Sequence, residues 1–130
     1  MINLYINQHK VDDVVVLDLK GRIRISGNSL QLHKAIRCLI DEGKTQILLN
    51  LAWVTYIDSE GLGELTSSQI TLNNKGGALK LMHLTESVRE LLTSTNLLTF
   101  FDIYDDEPEA LASFEGSGLK VLDAQPFFVV

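Results

Sequence analysis

The chain has 130 residues, of which 45% are hydrophobic and 22% charged, with a formal net charge of −6. These are the proportions of one folded domain with one core, and they argue against a disordered chain. The acidic balance and the absence of a Lys/Arg cluster argue against a nucleic-acid role, because nothing could neutralise a row of phosphates.

Residues Ile2 to His9 read as a first strand with imperfect alternation. Val14-Val15-Val16-Leu17-Asp18-Leu19 is short, apolar and β-branched, which suits a largely buried second strand. Gly21 breaks the pattern, and Ser26-Gly27-Asn28-Ser29 supplies turn and N-cap residues for a helix. There Leu32, Ala35, Ile36, Leu39 and Ile40 recur as one apolar stripe, and Gly43 closes the helix. Cys38, the only cysteine, lies within it and reads as a half-buried structural thiol; alone it forms no internal disulfide and no thiolate metal cluster.

Gln46 to Leu51 is a second apolar run, expected as a central strand, followed by a turn-like stretch from Ala52 to Asp58. The next helix carries Leu62, Leu65, Ile70 and Leu72 inward and ends at the C-cap signal Asn73-Asn74-Lys75-Gly76-Gly77. Ala78 to Met82 reads as a fourth core strand. Thr85 caps a third helix with Val88, Leu91 and Leu92 inward, and Leu98 to Ile103 reads as a short edge strand. Asp106, Pro108 at the first helical position and Glu109 start a last helix bearing Ala110, Leu111 and Phe114.

The order β-β-α-β-α-β-α with a terminal α element predicts an α/β fold: a mixed four- to five-stranded sheet with about four helices packed on it. The domain is expected over 1–115. Residues 116–130 read as a C-terminal extension, an edge strand or a partly ordered tail, whose apolar end leaves a homodimer open. No signal peptide is read at the start and no apolar run approaches the ~20 residues of a membrane span, so a cytoplasmic protein without membrane attachment is expected.

The segment richest in chemistry is Tyr56-Ile57-Asp58-Ser59-Glu60-Gly61-Leu62-Gly63. It follows a strand and opens a helix, so Asp58 and Ser59 fall where unpaired backbone N–H groups and the helix dipole favour an anion. A phosphate on Ser59 would add about −1.5 to −2 charges there. Asp and Ser are also the commonest caps, and a cap needs no function. The two glycines are what a cap leaves unexplained; they suggest a close approach to the helix's first turn.

This segment resembles the Asp-Ser-(Ser/Thr)-Gly-Leu-Gly signature of the bacterial anti-sigma-factor antagonists, which belong to the STAS domains. Gly21-Arg22-Ile23 sits where that family has Gly-Glu-Leu, and Ile47-Leu48-Leu49-Asn50-Leu51 matches its strand before the signature. Leu97 to Ile103 and the acidic start of the last helix also fit, so the similarity spans about residues 2 to 115. The resemblance implies a STAS-like sheet and a protein without catalysis, cofactor or metal. It implies that Ser59 is phosphorylated by a partner that is both an anti-sigma factor and a GHKL-type Ser kinase. A PP2C-type phosphatase would restore it. Only the unphosphorylated form would bind the kinase, with Asp58, Ser59, Glu60, Leu62, Gly63 and Arg24 at the docking surface.

Two positions depart from the pattern. Arg24 stands where the family commonly has Asp, and reads as a partner of Glu60 or of a phosphoserine, or as a plain surface arginine. Glu60 replaces a small hydroxyl residue and would oppose a phosphate on Ser59 by like-charge repulsion. These departures keep a second reading open, a constitutive STAS interaction module of the stressosome or transporter-accessory type with no phosphoryl switch. A hydrolase with Ser59 as nucleophile is a third, but Gly-x-Ser-x-Gly is absent and no His is evidently placed as base. His9, His33 and His83 lack metal spacing and read as structural. Ser67-Ser68 read as a polar helix face, Asp102 to Glu107 as helix-start electrostatics, and Trp53 as core.

Overall fold

The computed structural model describes residues 4–24 and 29–118. Among them the chain order is β1 (Leu4–Val11), β2 (Val14–Ile23), α1 (Ser29–Asp41), β3 (Gln46–Ile57), α2 (Ser59–Asn74), β4 (Ala78–Met82), α3 (Glu86–Ser94), β5 (Asp102–Tyr104) and α4 (Glu107–Gly118). The five strands lie side by side in sequence order; β1 is antiparallel to β2 and every other neighbouring pair is parallel. This is the expected α/β fold, with five strands and four helices. A hairpin needs only Asp12 and Asp13 between Val11 and Val14, with Asp12 at φ 54°, whereas each parallel pair needs a helical crossover.

Both faces of the central strands are buried, which is why β2 and β3 read as near-continuous apolar runs. Val15, Leu17, Leu19 and Ile23 face the layer of α1, α2 and α3, while Val14 and Val16 join Leu48, Met82, Ala110 and Phe114 beneath α4. Lys80 lies within that second layer, only 7% exposed. Its Nζ donates to Ser113 Oγ at 2.9 Å, sits 4.7 Å from the Phe114 ring centroid and lies 3.9 Å from Asp102 Oδ2, so its charge is satisfied as α4 closes over the sheet.

Several local expectations are corrected. β3 does not turn at Ala52 but runs on to Ile57. Register shifts opposite Lys20 and Arg22 break the two-residue alternation, so the buried residues Leu51, Val54 and Ile57 recur every third position and conceal the strand. Trp53 is therefore not core; it is 66% exposed. Ile70 lies off the buried stripe of α2 and is 50% exposed, while Ser68 and Gln69 take inward positions. Ser68 is thus not part of a solvated polar face: its hydroxyl donates to Glu64 at 3.2 Å, and Gln69 Oε1 accepts from Leu79 N at 2.9 Å. Cys38 is exposed rather than half-buried.

Toward the C-terminus, Leu97 and Leu98 form a turn by donating to Leu92 O, so the edge strand starts only at Asp102. Asp106 caps α4 by accepting from Glu109 N at 2.9 Å, and the helix opens on Glu107, which puts Pro108 at its second position. Residues 119–130, on which most of the expected C-terminal extension falls, lie outside the described residues.

Phe114 is 1% exposed and fills the space between α4 and the sheet. Phe114→Ala is expected to destabilise the fold by about 3–5 kcal/mol, read as a lowered urea midpoint.

Candidate functional site

The carboxyl ends of β2 and β3 meet the N-terminus of α2, the position in an open α/β sheet where ligands and partners commonly gather. Ile23 pairs with Ile57 at the ends of the two strands, and Asp58 N donates to Ile23 O at 3.0 Å. That bond carries the chain off the sheet and into the helix. Asp58 is the N-cap, in extended conformation at φ −84° and ψ 174°, and its Oδ1 accepts from Gly61 N at 2.7 Å. Its carbonyl accepts from Leu62 N at 2.9 Å, closing the first turn. Two of the first-turn amides are thus satisfied, and those of Ser59 and Glu60 remain donors that the helix itself cannot use.

Ser59 is the first helical residue and its side chain is exposed. Glu60 is exposed beside it, an acid in the first turn that the helix dipole favours by about 0.3–1 kcal/mol. Arg24 directly follows Ile23, so its backbone lies one residue from the carbonyl that receives Asp58; its side chain is half-buried. Gly63 is exposed, while Leu62 is 4% exposed and belongs mainly to the core. The predicted residues Arg24, Asp58, Ser59 and Glu60 thus meet at one sheet–helix junction.

The two glycines do different things. A Cβ on Gly61 would lie 2.8 Å from Ile23 Cγ2 and 3.1 Å from Ile23 O, so the close approach expected at this turn comes from β2 of the same domain. A Cβ on Gly63 would meet nothing within 4 Å. Gly63 instead keeps open one end of a surface groove of about 530 Å³ that runs along α2 from Ser59 past Thr66 and Ile70 to Thr95 and Leu97. Sequence reading missed this groove, because it placed Ile70 in the core. A second hollow of about 390 Å³, lined by Tyr56, Ser87, Glu90 and Ser94, flanks the junction on the α3 side.

Two of the three histidines lie beside a carboxylate. His33 Nδ1 lies 2.9 Å from Glu64 Oε2 between α1 and α2, and His9 Nδ1 lies 3.3 Å from Asp18 Oδ2 on the sheet. Among the described residues no group of three or more His, Cys, Asp or Glu could hold a metal ion, and no helix is long and apolar enough to cross a membrane.

The family model for the STAS domain matches residues 5–110. The chain belongs to the STAS-domain family. Among curated STAS relatives, the anti-sigma F factor antagonist of Paenibacillus polymyxa is 28% identical over 117 residues, which cover 88% of this chain and 97% of that protein. The Thermotoga maritima protein TM1081 is 30% identical in a solution structure, with a TM-score of 0.74 over 83% of this chain and 86% of that one. The unphosphorylated anti-sigma factor antagonist SpoIIAA shares the STAS fold at a TM-score of 0.75 and 23% identity, covering 86% of this chain and 97% of that one. Its Bacillus counterpart in the phosphorylated form superposes at 0.67 with 22% identity, covering 84% and 98%.

The glycine contrast is directly testable on this STAS domain. Gly61→Ala is expected to destabilise it by about 1–3 kcal/mol through the clash with Ile23. Gly63→Ala is expected to stabilise it by about 0.5–1 kcal/mol, the helix-propensity gain at an open position. Thermal melts of the two variants beside the parent check both signs.

Proposed function

We propose that this STAS domain is an anti-sigma-factor antagonist, a binding protein rather than an enzyme. Its partner would be an anti-sigma factor that is also a GHKL-type Ser kinase, and phosphorylation of Ser59 would turn it off. The observation that carries this reading is Ser59 itself, exposed at the first position of α2, with Asp58 committed to the cap beneath it. The curated relative from Paenibacillus polymyxa bears the antagonist name, which supports the same reading. A hydroxyl here is accessible to a kinase, and the first-turn amides and dipole tolerate the resulting dianion. On the partner side the same dianion works against binding, because like charges brought together in a desolvated interface cost several kcal/mol. A PP2C-type phosphatase would reset the switch. Asp58, Glu60, Gly63 and Arg24 would frame the docking surface over the buried Leu62, with Gly63 opening the groove along α2.

Glu60 favours a second reading, a constitutive STAS interaction module. Its permanent carboxylate beside Ser59 opposes a phosphate before any kinase acts. The two readings separate on one experiment: intact-mass analysis of the parent and Ser59→Ala after incubation with Mg-ATP and each anti-sigma-type Ser kinase of the same genome. One phosphate on the parent, absent from the variant, is expected, together with at least about tenfold weaker kinase binding by Ser59→Glu. Stable binding to a partner without phosphate transfer would instead support the constitutive module.

A further inference from the structure

On the face of the sheet opposite α1, α2 and α3, helix α4 covers Val14, Val16, Leu48 and Met82 but not the far ends of β1, β2 and β3. There Tyr5 pairs with Lys20, and Lys20 pairs with Trp53, so the three side chains stand in one row across the strands. Tyr5 is 64% and Trp53 66% exposed, and Lys20 is exposed between them. One row further, Arg22 pairs with Tyr56 and its guanidinium carbon lies 4.8 Å from the centroid of that ring. The carboxylate in the adjoining row, Asp18, is already occupied: Asn50 Nδ2 donates to it at 2.8 Å and His9 Nδ1 lies 3.3 Å away. Among the described residues no carboxylate pairs with Lys20.

Three large exposed aromatics interleaved with two cations are unusual on a chain of net charge −6. Trp, Tyr and Arg are the residues that concentrate binding energy at interfaces, because they offer large rigid area with a polar handle. The cations also set the partner's sign. Lys20 and Arg22 lie two residues apart on β2, paired with the exposed Trp53 and Tyr56 of β3. An extended segment with carboxylates at every second position turns that whole row of acids to one side, toward these cations, and its backbone and the acids' methylenes can cover Tyr5 and Trp53.

We propose that this row is a second docking surface of the domain, which takes an extended, acidic segment of another protein. It lies across the sheet from the groove along α2 and does not use the Ser59 hydroxyl, so it stands or falls independently of the phosphorylation switch.

Trp53 is the only tryptophan of the chain, so its fluorescence reports on this surface alone. The probe is a synthetic peptide of alternating Glu and Leu, compared with peptides in which Gln or Lys replaces Glu. The Glu peptide is expected to shift Trp53 emission to the blue with saturation. Lys20→Ala and Arg22→Ala, folded by circular dichroism, should each weaken it by roughly tenfold or more. Ser59→Ala should leave it unchanged. An equal response to the Gln peptide, or none to the Glu peptide, overturns the proposal. So does an emission already blue in the parent that turns red when residues 119–130 are removed, since the chain's own C-terminal segment would then be the occupant.

Discussion

The junction between Ile23 and the first turn of α2 is the contact on which the rest of this molecule depends. Two parallel strands end level with each other, and the carbonyl of the last residue of β2 receives the amide of Asp58. The helix starts this close to the strand with no Cβ at residue 61 to press on Ile23 Cγ2. Asp58 reads both sides of this junction. Its amide is used by the sheet, its carboxylate and carbonyl by the helix, so the adjacent Ser59 is left facing solvent at a fixed height above the sheet. A hydroxyl presented on a rigid frame, rather than on a mobile loop, loses little conformational entropy when a partner encloses it.

The second constraint is the two-sided burial of the central sheet. Layers of helices on both faces require β2 and β3 to be apolar on both sides, and that leaves the chemistry to the places where the layers end. One such place is the carboxyl edge, with Ser59 and the groove along α2. The other is the part of the α4 face that α4 does not reach, where Tyr5, Lys20, Trp53 and Arg22 are exposed. The exposed Ile70 of the groove fits the same logic, since an apolar side chain beyond the edge of the core is available to a partner rather than to the fold.

Glu60 illustrates how one residue answers to two demands. For the isolated helix it is a favourable first-turn acid next to the cap. For a phosphate on the neighbouring Ser59 it is a like charge, partly offset by the amides of the first turn. Under the proposed switch, the balance between these terms sets how readily Ser59 carries a phosphate.

Much of this was legible along the chain. The caps Asp58, Thr85 and Asp106, the stripe Leu32–Ile36–Leu39 of α1 and the position of Ser59 at a strand-to-helix turn all follow from interactions between residues a few positions apart. Local sequence therefore determined the element order, the STAS resemblance and the candidate site. What it did not contain is register between distant segments. The bulges opposite Lys20 and Arg22 carry β3 on to Ile57 and shift its inward positions to every third residue, which turns Trp53 to solvent beside Lys20. Packing of α2 against the sheet selects Gln69 for its inner face, where its side-chain oxygen accepts from Leu79 N, and leaves Ile70 outside. Such choices belong to the tertiary structure alone, since each is settled by the partner that a side chain meets across the fold, and no local pattern encodes that partner.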